Sequence, residues 1–116
     1  MSTNLLLACA LLYVVDGDTF KADCDGHLMT LRLANIDAPE RYCPVEWVES
    51  RAALVQALTG HPLYVHVLYK DRYGRAVSQV SADGRSVEDT MLRRGYAQPW
   101  RFDVDGQMLE PKPKGC

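Results

Sequence analysis

The sequence has no excess of basic residues. Proteins that coat nucleic acid by bulk charge typically have such an excess. Its 116 residues include 13 Lys and Arg against 15 Asp and Glu, which gives a net charge of −2 at pH 7. Any binding of a polyanion must therefore come from a local cluster of side chains or from a bound cation.

The sequence also lacks an apolar run long enough to span a bilayer. The run at residues 5–15 falls well short of the roughly 20 apolar residues that a transmembrane helix needs. As a signal peptide it lacks the preceding basic segment, although its Ala-Cys-Ala resembles a cleavage site. We expect a buried first strand and no membrane span.

No pair of its four cysteines has C-x-x-C spacing, which argues against a zinc site. A hairpin folded about residues 16–17 places Cys9 opposite Cys24, where the two either form a disulfide or remain small buried thiols. A second pair, Cys43–Cys116, would tie down the proline-rich tail. Disulfides are typical of oxidising compartments, so we expect export to the periplasm or beyond, with a cytoplasmic location left open.

The apolar pattern and the turn residues predict a mainly β protein. The predicted strands are 9–15, 18–24, 27–36, 62–69 and 74–82, with Asp-Gly turns at 16–17, 25–26 and 83–84. Three meander strands, a helix and two more strands is the order of a five-stranded Greek-key barrel of the OB-fold type. We expect one domain over 1–116, with a core at about 9–98 and an irregular tail at 99–116.

Two helices accompany these strands. Apolar residues recur at steps of three and four from residue 45 to about 59, which predicts an amphipathic helix that ends at Gly60. The residues predicted to form its apolar face are Val45, Val48, Ala52, Val55 and Leu58. Ser86, with Asp89 three residues later, predicts the N-cap of a second, short helix that ends at Gly95.

The segment LRLANIDAPE, residues 31–40, places an arginine inside an apolar strand and two carboxylates at its exit. Because side chains alternate along a strand, Leu31 and Leu33 should point to one face and Arg32 to the other. Arg32 then either forms an ion pair with Asp37 or Glu40 that serves only the fold, or belongs to a site.

Four segments in order, VDGDTF (15–20), LRLANIDAPE (31–40), DRYGRAVSQV (71–80) and VEDTMLRRGYA (87–97), resemble the staphylococcal nuclease, or thermonuclease-like, family. The resemblance implies an OB barrel that hydrolyses phosphodiester bonds of DNA and RNA with a bound Ca²⁺. It implies metal ligands at Asp18, at Asp37 and at the backbone carbonyl of Ala38. It also implies that Glu40 lies beside the attacking water and that Arg32 and Arg75 bind the phosphate.

These residue types suit that chemistry. Phosphodiester cleavage gathers negative charge on the phosphoryl oxygens, and the planar guanidinium forks of Arg32 and Arg75 can each pair with two of them. Calcium takes only oxygen ligands, which aspartates and a carbonyl supply. Glu40 could accept the proton of the water or simply hold the water in place.

Other residues near these segments are weaker candidates. Asp16 and Asp71 are interpreted as turn residues, and Arg72 belongs either to the same solvated turn as Asp71 or to a phosphate contact. Further candidate substrate contacts are Tyr73, which otherwise belongs to the turn that aims Arg75, and Trp100 and Phe102, which would either stack on a base or pack on the barrel.

We therefore expect a monomeric, calcium-dependent endonuclease that acts on single-stranded or frayed DNA and RNA, since no element resembles a base-reading helix. The alternative is a catalytically weak or inactive module on the same barrel that binds nucleic acid or a protein partner.

Overall fold

The computed structural model describes residues 6–99 and the backbone of residues 101–102 and 108–109. The elements within these residues are β1 (Leu7–Asp16), β2 (Thr19–Cys24), β3 (His27–Leu33), β4 (Ile36–Asp37), α1 (Pro44–Leu58), β5 (Leu63–Lys70), β6 (Ala76–Ala82), β7 (Arg85–Ser86), α2 (Val87–Arg93), β8 (Gln98–Pro99), β9 (Arg101–Phe102) and β10 (Met108–Leu109). Neither described helix is long and apolar enough to cross a membrane.

Five strands close into a barrel. β1 pairs antiparallel with β2 and with β5, β2 pairs with β3, and β5 pairs with β6. A parallel pairing of β3 with β6, in which Arg32 lies opposite Val77, closes the circle. Fully buried Phe20, Leu31 and Val65 belong to its core. The prediction of a mainly β, five-stranded OB-type barrel with two helices is confirmed.

The β1–β2 hairpin has the predicted pairing at its open end. Cys9 lies opposite Cys24, as the register predicted, and of the two alternatives the structure has the disulfide. Toward the tip of the hairpin, two irregularities in β1 change the register of its pairing with β2. The turn therefore comprises Gly17 and Asp18. Asp18 therefore lies in the turn and not at the start of the second strand. The predicted Cys43–Cys116 pair includes residue 116, which lies outside the described residues.

The third strand ends earlier than predicted. The prediction extended it to residue 36, but β3 ends at Leu33 and a separate short strand, β4, begins at Ile36. Asn35 has a φ of 65° in the turn between them, a left-handed conformation that interrupts extended backbone and that Asn tolerates better than most residues. Asp37 consequently lies on β4, which pairs with β8.

The predicted buried face of α1 was wrong for three of its five residues. Val45 and Val48 are 64% and 55% exposed and Ala52 is also exposed, whereas Ser50 and Ala53 are buried. The small residues face the barrel because the β1–β2 turn approaches the helix closely: a β-carbon at Gly17 would overlap Ser50 Oγ. Packing of α1 thus fixes the turn that carries Asp18.

The second helix is capped as predicted and is also tied to the barrel. The amide of Asp89 donates to Ser86 Oγ at 3.1 Å, which is the predicted N-cap. Buried Glu88 accepts a hydrogen bond from the amide of Val80 on β6 at 2.8 Å, and burial raises the pKa of Glu88 to about 7.

The tail is not wholly irregular. Residues 98–99 form β8, and 101–102 pair with 108–109. The short β4–β8 ladder places Asp37 opposite Gln98 and so ties β4 to the segment after α2.

Candidate active site

Most of the predicted site residues line one cavity of about 860 Å³, although the buried Ala38 is not among its lining residues. This main cavity lies where the β1–β2 turn, the start of β4 and the β5–β6 loop meet. Seven of the predicted residues line it: Asp18, Arg32, Asp37, Glu40, Arg72, Tyr73 and Arg75. Other polar side chains of its lining are Asp16, Lys21, Thr30, Asn35, Tyr69 and Asp71.

The buried guanidinium of Arg32 connects the strand ends around the cavity. Its Nη1 donates to the carbonyls of Leu33 and Ile36 at 2.7 and 2.8 Å, across the turn between β3 and β4. Its Nη2 lies 3.4 Å from Asp18 Oδ2 and 3.5 Å from Asp37 Oδ1. From the sequence, Arg32 was expected either to form an ion pair with Asp37 or Glu40 or to belong to a site. The structure places it between Asp37 and Asp18.

Asp18 holds the backbone that follows β4. Its Oδ2 accepts a hydrogen bond from the amide of Ala38 at 2.9 Å, and its Oδ1 accepts one from Thr19 Oγ1 at 3.0 Å. Both Asp18 and Ala38 are buried. Asp18, Asp37 and Ala38 are thus linked by the hydrogen bond from the Ala38 amide and by the contacts of Arg32 with both carboxylates.

Negative charge is crowded on this side of the cavity. The carboxylate of Asp16 accepts the amide of Asp18 at 3.3 Å, the turn role that the sequence suggested, and it also lines the cavity. Burial is the largest of the causes that raise the pKa of Asp16 to about 7. A side-chain hydrogen bond with Asp18 and the negative charges of Asp18 and Glu40 also raise it. Carboxylates that repel one another in this way suit a site for a cation.

No three acidic, histidine or cysteine side chains within the described part of the chain are arranged to hold a metal ion by themselves. An ion at this site would need oxygen atoms besides those of carboxylates. The Ala38 carbonyl and water are oxygen donors of the kind that Ca²⁺ accepts, so the donor set fits a hard cation with partial hydration.

The other wall of the cavity is the β5–β6 loop, and Asp71 organises it. Asp71 Oδ1 accepts the amides of Tyr73 and Arg75 at 2.9 Å each, and its Oδ2 accepts Arg75 Nε at 2.7 Å. Burial opposes ionisation of Asp71, but these hydrogen bonds and the charge of Arg75 lower its pKa overall. The sequence placed Asp71 in a solvated turn, whereas the structure shows that it orients Arg75. The D-x-x-x-R spacing across a Gly74 turn was the available signal.

The rim of this wall carries a stack of one aromatic ring and two guanidiniums. The Cζ atoms of Arg72 and Arg75 lie 5.0 and 5.4 Å from the centre of the Tyr73 ring. Arg72 also donates to Tyr73 Oη at 2.9 Å. Trp100 and the side chain of Phe102, the other predicted aromatic contacts, lie outside the described residues.

Sequence comparisons match the chain to a family profile and to several proteins. A family profile described as staphylococcal nuclease homologue matches residues 30–111. The chain is 39% identical over 80 residues to a probable staphylococcal-like nuclease of Oryza sativa subsp. japonica, an alignment that covers 69% of this chain and 23% of that protein. It is 37% identical over 92 residues to an uncharacterized endonuclease of Escherichia coli O157:H7, covering 78% of this chain and 58% of that protein. It is also 36% identical over 72 residues to a staphylococcal-like nuclease of Arabidopsis thaliana, covering 62% and 21%.

The Asp71–Arg75 pair should persist to unusually low pH. Because the folded-state pKa of Asp71 is below its ordinary value of 3.8, the carboxylate stays ionised as the pH falls through 3.8 and loses Arg75 only when the pH reaches the lower folded-state value. Nitrogen–proton correlation spectra that include the Arg75 Nε–H resonance measure this directly.

Asp71→Asn should shift that resonance and speed its exchange with solvent at neutral pH, whereas Asp83→Asn, in another turn, should leave it unchanged. An unaltered Arg75 resonance in Asp71→Asn, or loss of the pair at pH 3.8 or above, would contradict the assigned role of Asp71.

Proposed function

The chain belongs to the staphylococcal nuclease family, and we propose that it is a calcium-dependent endonuclease that hydrolyses phosphodiester bonds of DNA and RNA. It spans only part of the relatives it matches, 23% and 58% of the rice and E. coli proteins. The observation that supports the proposal most strongly is the cavity itself. In it, Asp18 and Asp37 both contact the guanidinium of Arg32, and a second guanidinium, that of Arg75, lies in the opposite wall.

The calcium ion would be held by the carboxylates of Asp18 and Asp37 and by the carbonyl of Ala38. Calcium accepts six to eight oxygen ligands, so water and an oxygen of the substrate would complete the set. When bound, the ion would polarise the phosphoryl group and increase the acidity of a nearby water.

The two arginines would bind the phosphate and stabilise the charge that develops during cleavage. Asp71 holds the Nε edge of Arg75, so the Nη edge is the part that remains for phosphate oxygens. Arg32 is fixed by two carbonyls, which sets the direction of its guanidinium before substrate arrives. Guanidiniums oriented in advance lower the barrier because they need no reorganisation in the transition state.

Glu40 would act on the attacking water. It is exposed, lines the same cavity and follows Asp37 by three residues, so its carboxylate can reach a water near the predicted metal ligands. It would either accept the proton of that water or orient the water by a hydrogen bond.

The substrate would be single-stranded or frayed nucleic acid with little base preference. Exposed Tyr73, 69% accessible at the rim, offers a ring on which any base can stack, and Lys21 and Arg72 offer charges for neighbouring phosphates. Because the net charge is −2, affinity should be modest and should fall with salt.

Cleavage of denatured DNA tests the proposed function. We expect hydrolysis with Ca²⁺, none with a chelator, and a loss of about 100-fold or more in kcat for Glu40→Gln and for Arg75→Ala, since each group would supply roughly 3 kcal/mol to the transition state. Specific activity should not depend on chain concentration, because all the proposed catalytic groups come from one chain and we propose a monomer.

Matched controls are Glu49→Gln and Arg93→Ala, which make the same chemical changes on exposed positions of α1 and α2 away from the main cavity. They should keep wild-type activity. Oligonucleotide binding without calcium-dependent cleavage in the wild type would reject the enzyme and favour a binding module on the same fold.

We also propose that the protein works in an oxidising compartment, because the Cys9–Cys24 disulfide joins β1 and β2. Titration of thiols in the denatured chain, isolated with alkylation at lysis, should find Cys9 and Cys24 oxidised. Free thiols at both positions would contradict export.

A further inference from the structure

A second groove lies at the far end of the barrel from the β5–β6 loop. It has a volume of about 460 Å³ and lies between the C-terminal part of α1, the turn after β6, and α2. We call it the basic groove, and its polar lining residues are Gln56, His61, Asp83, Arg85, Thr90 and Arg94.

Two guanidiniums dominate its charge. Within the described residues neither Arg85 nor Arg94 has a carboxylate within salt-bridge distance. Arg94 is held over the ring of Tyr96, with its Cζ 5.2 Å from the ring centre. The one acidic lining residue, Asp83, lies 3.2 Å from Nδ1 of His61. The groove lining therefore carries two guanidiniums against one carboxylate, which leaves an excess of one positive charge.

Strand β6 separates this groove from the main cavity. Arg75 precedes the strand and Asp83 follows it, and the strand has 7 residues. Arg75 and Asp83 are eight residues apart, so at about 3.3 Å per residue the two sites are roughly 26 Å apart along the barrel. One strand of a nucleic acid covers that distance in about eight nucleotides at duplex spacing, and in fewer when it is extended.

We propose that the basic groove is a second phosphate-binding site, which takes the backbone of the same polynucleotide whose scissile phosphate occupies the main cavity. This inference rests on the proposed function, since it takes nucleic acid as the substrate. It assigns Arg85 and Arg94 to phosphate contacts remote from the chemistry. A long substrate would thus gain affinity that a dinucleotide cannot.

Equilibrium binding to a labelled single-stranded DNA tests it, with fluorescence anisotropy in chelator so that no cleavage occurs. The probe has about 20 nucleotides, more than the ~4–16 that one OB fold covers. We expect Arg85→Ala/Arg94→Ala to weaken binding on the order of tenfold and to reduce the slope of log K against log salt by about 1.4, since each lost phosphate contact removes about 0.7. Binding of a dinucleotide should not change.

Arg93→Ala compared with Arg94→Ala is the matched control. The two arginines are adjacent and carry the same charge, but only Arg94 lines the basic groove. If both variants weaken DNA binding equally, the effect comes from net charge alone, and the proposal is overturned. An unchanged salt slope in the double variant, or an equal loss for the dinucleotide, would also overturn it.

The result is separable from the proposed function. If the double variant binds the long strand more weakly and the wild type does not cleave, the groove is supported and the proposed enzyme is rejected. If the double variant binds the long strand normally and the wild type does cleave, only the proposal for the groove is rejected.

Discussion

The contact of Arg32 with both the backbone and the carboxylates is the interaction on which the site depends. One nitrogen of its guanidinium bonds the carbonyls on either side of the β3–β4 turn, and the other lies against Asp18 and Asp37. Asp18 in turn holds the amide of Ala38. Removing the guanidinium would leave the buried Asp18 without its counter-charge, a change that typically costs about 3–5 kcal/mol, and would also remove the partner of half-buried Asp37. The same residue that would bind phosphate therefore also keeps the predicted metal ligands together.

The remaining scaffold limits how far these groups can move. Gly17 lets the β1–β2 turn lie directly on Ser50 of α1, and Ser50 donates to the carbonyl of Tyr96 at 2.8 Å, which links the helix to the segment after α2. On the opposite wall, Asp71 fixes the side chain and the amide of Arg75. The acidic and the cationic sides of the cavity are thus each held by packing or hydrogen bonds independent of substrate, as preorganisation requires.

The order of the strands, the barrel and the Cys9–Cys24 pair could be predicted because they follow from turn residues and alternation along the chain. The α1 face could not, because both of its faces carry apolar residues and the close approach of Gly17 to Ser50 decides which is buried. The break in the third strand depends on the left-handed conformation of Asn35, which alternation does not reveal. Asp71 was underestimated because its partner, Arg75, is brought to it by the fold of a loop.

The affinity of Ca²⁺ for the wild type, Asp18→Asn, Asp37→Asn and the double variant, measured by isothermal titration calorimetry, tests most directly whether the two aspartates form one site. If they share an ion, each single substitution should weaken binding by an order of magnitude or more. The double substitution should then cost clearly less than the sum of the two, because residues that act on one ligand are not additive. Fully additive losses, or an affinity that Asp37→Asn leaves unchanged in a folded chain, would contradict the account.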